Sequence, residues 1–185
     1  QADAALRAPC PHITDHRAPL SAGGPNDYYS NGDYWWPNPE TESGLPYIQR
    51  DGESNPQNFH QHRKTLRTLR TRVSALAAAY RLTGGAAYAE AACRMLREFF
   101  VDPRTAMRPS LQYAQAIPGV CEGRSIGLID TLHLTEIPFA VEALRTSPEM
   151  TAALYESLRG WFSAYLQWMV ESPLGLQEQR ESNNH

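Results

Sequence analysis

The sequence predicts an all-α protein in which antiparallel helix hairpins follow a long irregular N-terminal arm. From about residue 60 onward, apolar residues recur at spacings of three and four, and glycine or proline ends each such run. No run shows the strict alternation of a half-buried β-strand. Residues 1–58 instead hold eight of the fourteen prolines. We therefore divide the chain into an arm, 1–58, and a helical part, 59–185.

The arm is rich in turn-forming residues, yet it also carries an unusual number of aromatic side chains. These are Tyr28, Tyr29, Tyr34, Trp35, Trp36 and Tyr47. Disordered segments are poor in aromatic residues. We therefore expect an ordered arm that packs on the helices.

A first amphipathic helix is predicted from about residue 60 to Gly84, because Leu66, Leu69 and Val73 begin an apolar stripe. A second runs from about 86 to 100. The short connection between them predicts an antiparallel hairpin.

Residues 103–124 are predicted to form a long loop, and a helix follows from about 125 to 145. Its apolar residues, Ile129 and Leu132 among them, are expected to face inward. Pro138 should kink or split this helix near Ile137.

A further helix is predicted to begin at Ser147 as N-cap, with a wide apolar face, and 174–181 adds a short polar helix or turn. Helix hairpins of this kind can form a bundle, a solenoid or an α/α toroid, and the pattern leaves these open.

The charge balance and hydropathy restrict the function. The net charge of −3 argues against nucleic-acid binding, and no apolar run is long enough to span a membrane. Among the cationic residues, Lys64 is the single lysine beside sixteen arginines. This bias suits a carboxylate-rich ligand, since arginine binds carboxylates in bidentate fashion, but codon usage in a GC-rich genome is the better explanation.

The cysteines and histidines predict no metal or cofactor site. Cys10, Cys93 and Cys121 form no CxxC pair and permit at most one internal disulfide. His60 and His62 are two residues apart and do not share a helix face.

An aromatic segment, Asp33–Pro39, is the first candidate for ligand contact. The rings of Tyr34, Trp35 and Trp36 suit stacking on the apolar faces of sugars. Alternatively, they form a hydrophobic plug that anchors the arm.

The predicted loop supplies a second candidate, Tyr113–Gly119 followed by Arg124. Polar side chains on a loop between rigid helices often contact ligands, and Gln115 and Arg124 could bond a carboxylate. Alternatively, Arg124 pairs with Glu122 or Asp130 to hold the loop.

A third candidate is Asn183–His185. An amide beside an imidazole can neutralise a uronate carboxylate, which makes the proton at C5 removable and permits β-elimination.

Several blocks of this sequence, in the same order, resemble the signature of the alginate lyase superfamily. They resemble its glucuronan lyase branch at least as well as the enzymes that act on alginate. The blocks are Asp27–Pro39, Pro46–Glu53 with Asn55–Pro56, Tyr113–Gly119, Gly123–Thr131 and Asn183–His185.

The resemblance implies part of an (α/α) toroid and a polysaccharide lyase that cleaves a β-1,4-linked mannuronate or glucuronate polymer. It assigns Asn184 and His185 as catalytic residues that neutralise the carboxylate, without a cofactor. Six residues become candidate substrate contacts: Tyr34, Trp35, Trp36, Tyr113, Gln115 and Arg124. The expected partner is an acidic polysaccharide, alginate or glucuronan, and the expected location is secreted or periplasmic.

The resemblance has one departure. Its members are longer, and their catalytic tyrosine and arginine follow the Asn-His pair, so no residue here matches that tyrosine. We expect an incomplete toroid, inactive alone, whose missing C-terminal segment acts as a partner. A non-catalytic acidic-glycan-binding module on the same scaffold is the alternative. A third hypothesis is an inverting glycosidase, which would need two carboxylates roughly 6.5–9.5 Å apart.

Overall fold

A computed structural model describes residues 1–181 and confirms the all-α class, with helices over about 53% of the chain. The α-helices are α1 (Ala2–Arg7), α2 (Gln61–Thr83), α3 (Ala86–Phe100), α4 (Glu136–Leu144), α5 (Ala152–Glu171) and α6 (Pro173–Glu181). Short 3-10 helices lie at Ile13–Asp15 and Ser125–Thr135. None of the helices within 1–181 is long and apolar enough to cross a membrane.

The central helix is α2, which packs against α1, α3 and α4. It ends as predicted at Gly84, which adopts a left-handed conformation at φ 70°. The predicted α2–α3 hairpin is confirmed. Its shared core includes Leu69 and Leu76 from α2 and Leu96 and Phe99 from α3.

Short strands occur where the sequence shows no strand pattern. Within residues 1–181 they are β1 (Tyr29–Asn31), β2 (Trp35–Trp36), β3 (Ile48–Gln49) and β4 (Tyr113–Ala116). β1 pairs with β4 in parallel, and β2 pairs with β3 antiparallel. Strands of two to four residues are too short for alternation to be visible in the sequence.

The arm is more regular than predicted, since α1 and a 3-10 helix precede its strands. It packs on the helical part through α1, which lies against α2 and α3. The division at residue 58 stays a prediction.

The helix predicted over 125–145 divides before Pro138, as a 3-10 helix to Thr135 and then α4. Proline is tolerated there because it lies in the first turn of α4. Ile129 and Leu132 were wrongly predicted to face inward, since both are exposed. A 3-10 helix has three residues per turn, so its buried face falls on other positions, Asp130, Thr131 and Leu134.

The predicted N-cap at Ser147 is also wrong. The helix begins later, with Thr151 as N-cap, whose side chain accepts a hydrogen bond from the Leu154 N–H at 3.2 Å. Ser147 instead accepts from the Glu149 N–H within a turn. Both residues are good N-caps, and tertiary packing selected the second.

One apolar face remains open to solvent. A groove of about 670 Å³ runs between the 3-10 helix, α5 and α6, and Leu132, Phe162, Leu166, Met169 and Val170 line it. Leu132 is 48% exposed and Leu166 is 57% exposed. We call this surface the apolar groove.

Candidate functional site

The pairing of β1 with β4 brings the aromatic segment of the arm against the predicted loop. Tyr29 lies opposite Tyr113, and Asn31 lies opposite Ala116. The Gly32 N–H extends the pairing by donating to the Ala116 carbonyl at 2.9 Å. Two sequence blocks some 80 residues apart thus form one structural unit.

Asp130 is the centre of a buried hydrogen-bond network beneath this unit. Its Oδ2 accepts from the Tyr28 hydroxyl at 3.1 Å and from Ser30 Oγ at 2.5 Å. Its Oδ1 accepts from Gln115 Nε2 at 3.0 Å. The 3-10 helix, β1 and β4 are therefore joined at a single carboxylate.

Arg63 of α2 completes the charge balance of the network. Its Nη2 lies 3.1 Å from Asp130 Oδ1, and its Nη1 donates to Asp33 Oδ1 at 3.0 Å. Burial would lower the pKa of Arg63, but Asp130, Tyr28 and Asp33 outweigh it and raise the pKa. Arg63 therefore stays charged. Burial, and then Asp130, raise the pKa of Tyr28, so its phenol stays protonated.

Gln115 connects this network to Arg124. Arg124 donates from Nε to the Gln115 carbonyl at 2.8 Å and from Nη2 to its Oε1 at 3.1 Å. The Gln115 N–H donates to Ser30 Oγ at 2.8 Å. Gln115 adopts φ 54°, a left-handed conformation that non-glycine residues rarely take. These bonds therefore hold Gln115 in an otherwise unfavourable geometry.

The predicted pairing of Arg124 with Glu122 or Asp130 is wrong, whereas its contact with a ligand carboxylate stays a prediction. Arg124 is held by Gln115, and its bonds within residues 1–181 do not include one to Glu122 or Asp130. Burial lowers the pKa of Arg124 from its ordinary value, because a guanidinium away from water loses favourable hydration.

Trp35 lies directly beside Arg124, across Gly32. A Cβ at Gly32 would lie 2.6 Å from Trp35 Cδ1 and 2.7 Å from Arg124 Nη2. A larger residue at this position would therefore displace the Trp35 ring or the Arg124 guanidinium. Trp35 is half-buried, so an aromatic surface and a cation share one edge of the site.

The other predicted contacts lie in different settings. Tyr34 is 43% exposed. Trp36 donates from Nε1 to the Glu53 carbonyl at 2.9 Å, and the Arg50 guanidinium lies 4.8 Å above its ring. Both of these contacts lie within the arm, so they do not attach the arm to the helices, and the role of Trp36 stays a prediction.

Tyr113 and Gln115 are also largely engaged within the protein. A Cβ at Gly23 would lie 2.6 Å from the ring of Tyr113, so that ring covers the Gly23 backbone. Gln115 is 6% exposed, and both atoms of its amide have partners. Gln115 therefore positions Arg124, and a direct bond to a ligand would require one of these bonds to break.

A polar cavity of about 640 Å³ opens beside β1. Its lining includes Arg17, Tyr29, Asn31, Tyr47, His60 and Lys64. Burial raises the pKa of Tyr29 to about 12, so its hydroxyl is neutral, and it accepts a 2.9 Å hydrogen bond from Asn31 Nδ2. Arg17 and Lys64 supply cations and Asp15 an opposing carboxylate, beside hydroxyls and rings that suit a sugar.

Asn184 and His185, the predicted catalytic pair, lie outside the described residues. The groups within 1–181 that could hold a metal ion are Cys10, His12 and Glu98, and they share no residue with the Asp130 network.

Sequence reasoning did not assign roles to Arg63, Ser30 or Tyr28. The available signal was Asp130 itself, a carboxylate inside the apolar run Ile126–Leu134. A buried carboxylate requires cationic and hydroxyl partners, but the sequence does not tell which ones.

Comparisons with known proteins bear on the family and fold of the chain. A sequence model of the family described as alginate lyase matches residues 12–185. The fold matches the crystal structure of an alginate lyase from Bacteroides ovatus, with a TM-score of 0.90 and 37% sequence identity. That match covers 100% of this chain and 49% of the other, so this chain spans about half its length. The match is consistent with a helical toroid-type fold. No curated protein matches the sequence. The resemblance found in the sequence blocks is confirmed, and the chain belongs to the alginate lyase family.

Proposed function

We propose that the chain is the N-terminal portion of a polysaccharide lyase that cleaves a β-1,4-linked mannuronate or glucuronate polymer by β-elimination. The observation that carries this proposal is the fixed pair of Arg124 and Trp35. A guanidinium held by two bonds to Gln115, beside a half-buried indole, offers a cation for a carboxylate and an apolar surface for a sugar ring.

The reaction proposed here follows from the acidity of a uronate. A base removes the C5 proton, the bond from C4 to the glycosidic oxygen breaks, a C4–C5 double bond forms, and the leaving oxygen takes up a proton. The intermediate charge at C5 spreads into the carboxylate only if that carboxylate is neutralised. We assign this neutralisation to Asn184 and His185.

The polar cavity beside β1 is proposed as a further contact surface for the polymer. Lys64 and Arg17 bring positive charge to it, while Tyr29, Asn31 and Tyr47 bring hydrogen-bonding groups and rings. An acidic polysaccharide, alginate or glucuronan, is therefore the proposed partner. Such a polymer is too large to enter a cell, so we propose a secreted or periplasmic location, which cell fractionation would test.

The apolar groove is proposed to receive a C-terminal segment of a longer chain. Most residues that line the groove are hydrophobic, α6 forms one of its walls, and the Bacteroides ovatus structure is about twice the length matched here. Burying such a surface against further helices would complete the helical layer. It follows that residues 1–185 alone should bind the polymer without cleaving it.

The test is a chimera of residues 1–185 and the remaining part of the Bacteroides ovatus enzyme. Polymannuronate, polyguluronate and glucuronan are offered in turn, and ultraviolet absorbance reports the unsaturated uronide. We expect absorbance with a mannuronate or glucuronate polymer, and its loss in Asn184→Ala and in His185→Ala.

Other outcomes would refute the proposal. Saturated reducing ends without absorbance would indicate a glycosidase. Polymer binding without cleavage by a folded chimera would indicate the non-catalytic binding module. Absorbance produced at a normal rate by residues 1–185 alone would refute the role of the C-terminal segment.

A further inference from the structure

Three side chains that could bind a metal ion lie close together where the arm contacts α3. Cys10 and His12 lie in the arm after α1, and Glu98 lies in the last turns of α3. One ligand atom from each, Sγ, a ring nitrogen and a carboxylate oxygen, lies within 4.8 Å of the others. His12 Nε2 and Glu98 Oε2 are 2.9 Å apart.

From this geometry we propose that Cys10, His12 and Glu98 bind a zinc-like transition-metal ion. Zinc bonds of about 2.0–2.3 Å to sulfur, nitrogen and oxygen place tetrahedral ligands a little over 3 Å apart. The three side chains therefore need only small rotations. A thiolate with an imidazole selects zinc or cobalt over magnesium or calcium, which prefer oxygen ligands.

A fourth group lies beside His12. Asp15 Oδ2 lies 3.4 Å from Nδ1 of His12 and accepts a hydrogen bond from the His12 backbone N–H at 3.2 Å, while the His12 side chain accepts from the Asp15 N–H. Binding an ion through Nε2 would require the ring proton on Nδ1, where Asp15 Oδ2 can accept it and orient the imidazole.

The surroundings leave room for a fourth ligand. A cavity of about 410 Å³ borders Cys10 and Glu98, with Arg94 and Arg7 on its wall. The three side chains are partly buried, so a water molecule can reach the site and serve as the fourth ligand. A bound ion would tie the arm to α3. This inference does not depend on the proposed function.

The same groups have a competing structural role. Cys10 Sγ approaches the Met95 carbonyl at 3.8 Å, and the contact of His12 with Glu98 could by itself pin the arm. Under that reading the cluster is a network of weak polar contacts that needs no ion.

Cobalt binding separates the two readings. Protein stripped of metal by a chelator is titrated with Co²⁺, whose bond to a thiolate gives a charge-transfer band in the near ultraviolet. We expect one Co²⁺ per chain, displaced by Zn²⁺. Cys10→Ser should remove the band, while Cys121→Ser, at a half-buried thiol elsewhere, should keep it.

Circular dichroism reports whether Cys10→Ser folds. If it does not fold, two further variants test the proposal. Glu98→Gln should weaken Co²⁺ binding about tenfold or more, and Asp15→Asn should weaken it by about 10–100-fold. The proposal is overturned if the unaltered protein gives no charge-transfer band. It is also overturned if folded Cys10→Ser keeps the band, or if neither Glu98→Gln nor Asp15→Asn weakens binding.

Discussion

The side-chain amide of Gln115 donates to Oδ1 of Asp130 over 3.0 Å, and it does so from a backbone with φ 54°. A left-handed conformation costs a non-glycine residue roughly 1–2 kcal/mol. The network around Asp130 offsets that cost, and the result is a fixed Arg124. The conformation of Gln115 and the position of Arg124 therefore both depend on the buried carboxylate of Asp130.

Gln115→Ala should lower the free energy of unfolding by about 1–3 kcal/mol, because Asp130 and Arg124 each lose a buried partner. Urea denaturation measures this. Gln112→Ala, at an exposed position three residues earlier, should change it by less than about 0.5 kcal/mol. Equal effects of the two substitutions would show that the Gln115 amide contributes no special stabilisation.

Asp130→Asn should destabilise the protein much more than Asp33→Asn. The first leaves Arg63 beside a neutral amide in a buried setting, and removing one partner of a buried pair costs about 3–5 kcal/mol. Asp33 is partly exposed, so its pair with Arg63 should contribute less than about 1 kcal/mol. Comparing the two variants by urea denaturation tests the ranking, and the reverse order would contradict it.

Arg124→Lys should weaken binding of polymannuronate or glucuronan by about tenfold or more, since lysine lacks the planar fork that binds a carboxylate in bidentate fashion. It also cannot keep both bonds to Gln115. Isothermal titration with short oligosaccharides of each polymer measures the change. Arg145→Lys, on an exposed arginine paired with Glu142, is the matched control and should bind normally.

The stability of the protein should decrease in mild acid because of His62. Its Nδ1 accepts from the Tyr29 N–H at 3.0 Å, so Nε2 carries the proton and donates to the His16 carbonyl at 2.8 Å. Burial lowers the pKa of His62 from its ordinary value of 6.5. The unfolded chain therefore binds a proton that the folded chain does not.

The free energy of unfolding should accordingly be unaffected by His62 above the ordinary pKa. It should fall as the pH drops below 6.5 and level off below the folded pKa. Urea denaturation between pH 8 and pH 5 measures the slope. His62→Gln should flatten it, whereas His60→Gln should leave it unchanged. An unchanged slope in His62→Gln would assign the effect to other groups.

The effect of substituting Leu166 should depend on whether a C-terminal segment covers the apolar groove. Leu166→Glu should cost residues 1–185 less than about 1 kcal/mol, since the side chain is 57% exposed. Leu158→Glu, at a side chain 1% exposed, should cost about 3 kcal/mol or more. In the chimera, Leu166→Glu should become strongly destabilising by thermal unfolding. A small effect there would mean that no segment covers the groove.

Local sequence determined the helices that carry a strong periodic stripe. The end of α2 at Gly84 follows from a glycine that enters the left-handed conformation without strain, and the α2–α3 hairpin follows from the short connection after it. The sequence blocks also determined the family, because they occur in order along the whole chain.

Only the tertiary structure decided which of several locally equivalent residues is used. Ser147 and Thr151 are both good N-caps, and Thr151 begins α5 because packing places the helix there. The pairing of β1 with β4, the position of Asp130 beneath it, and the meeting of Cys10 and His12 with Glu98 join residues some 80 to 100 positions apart. Local propensity acts over a few residues, whereas these contacts depend on how the whole chain packs.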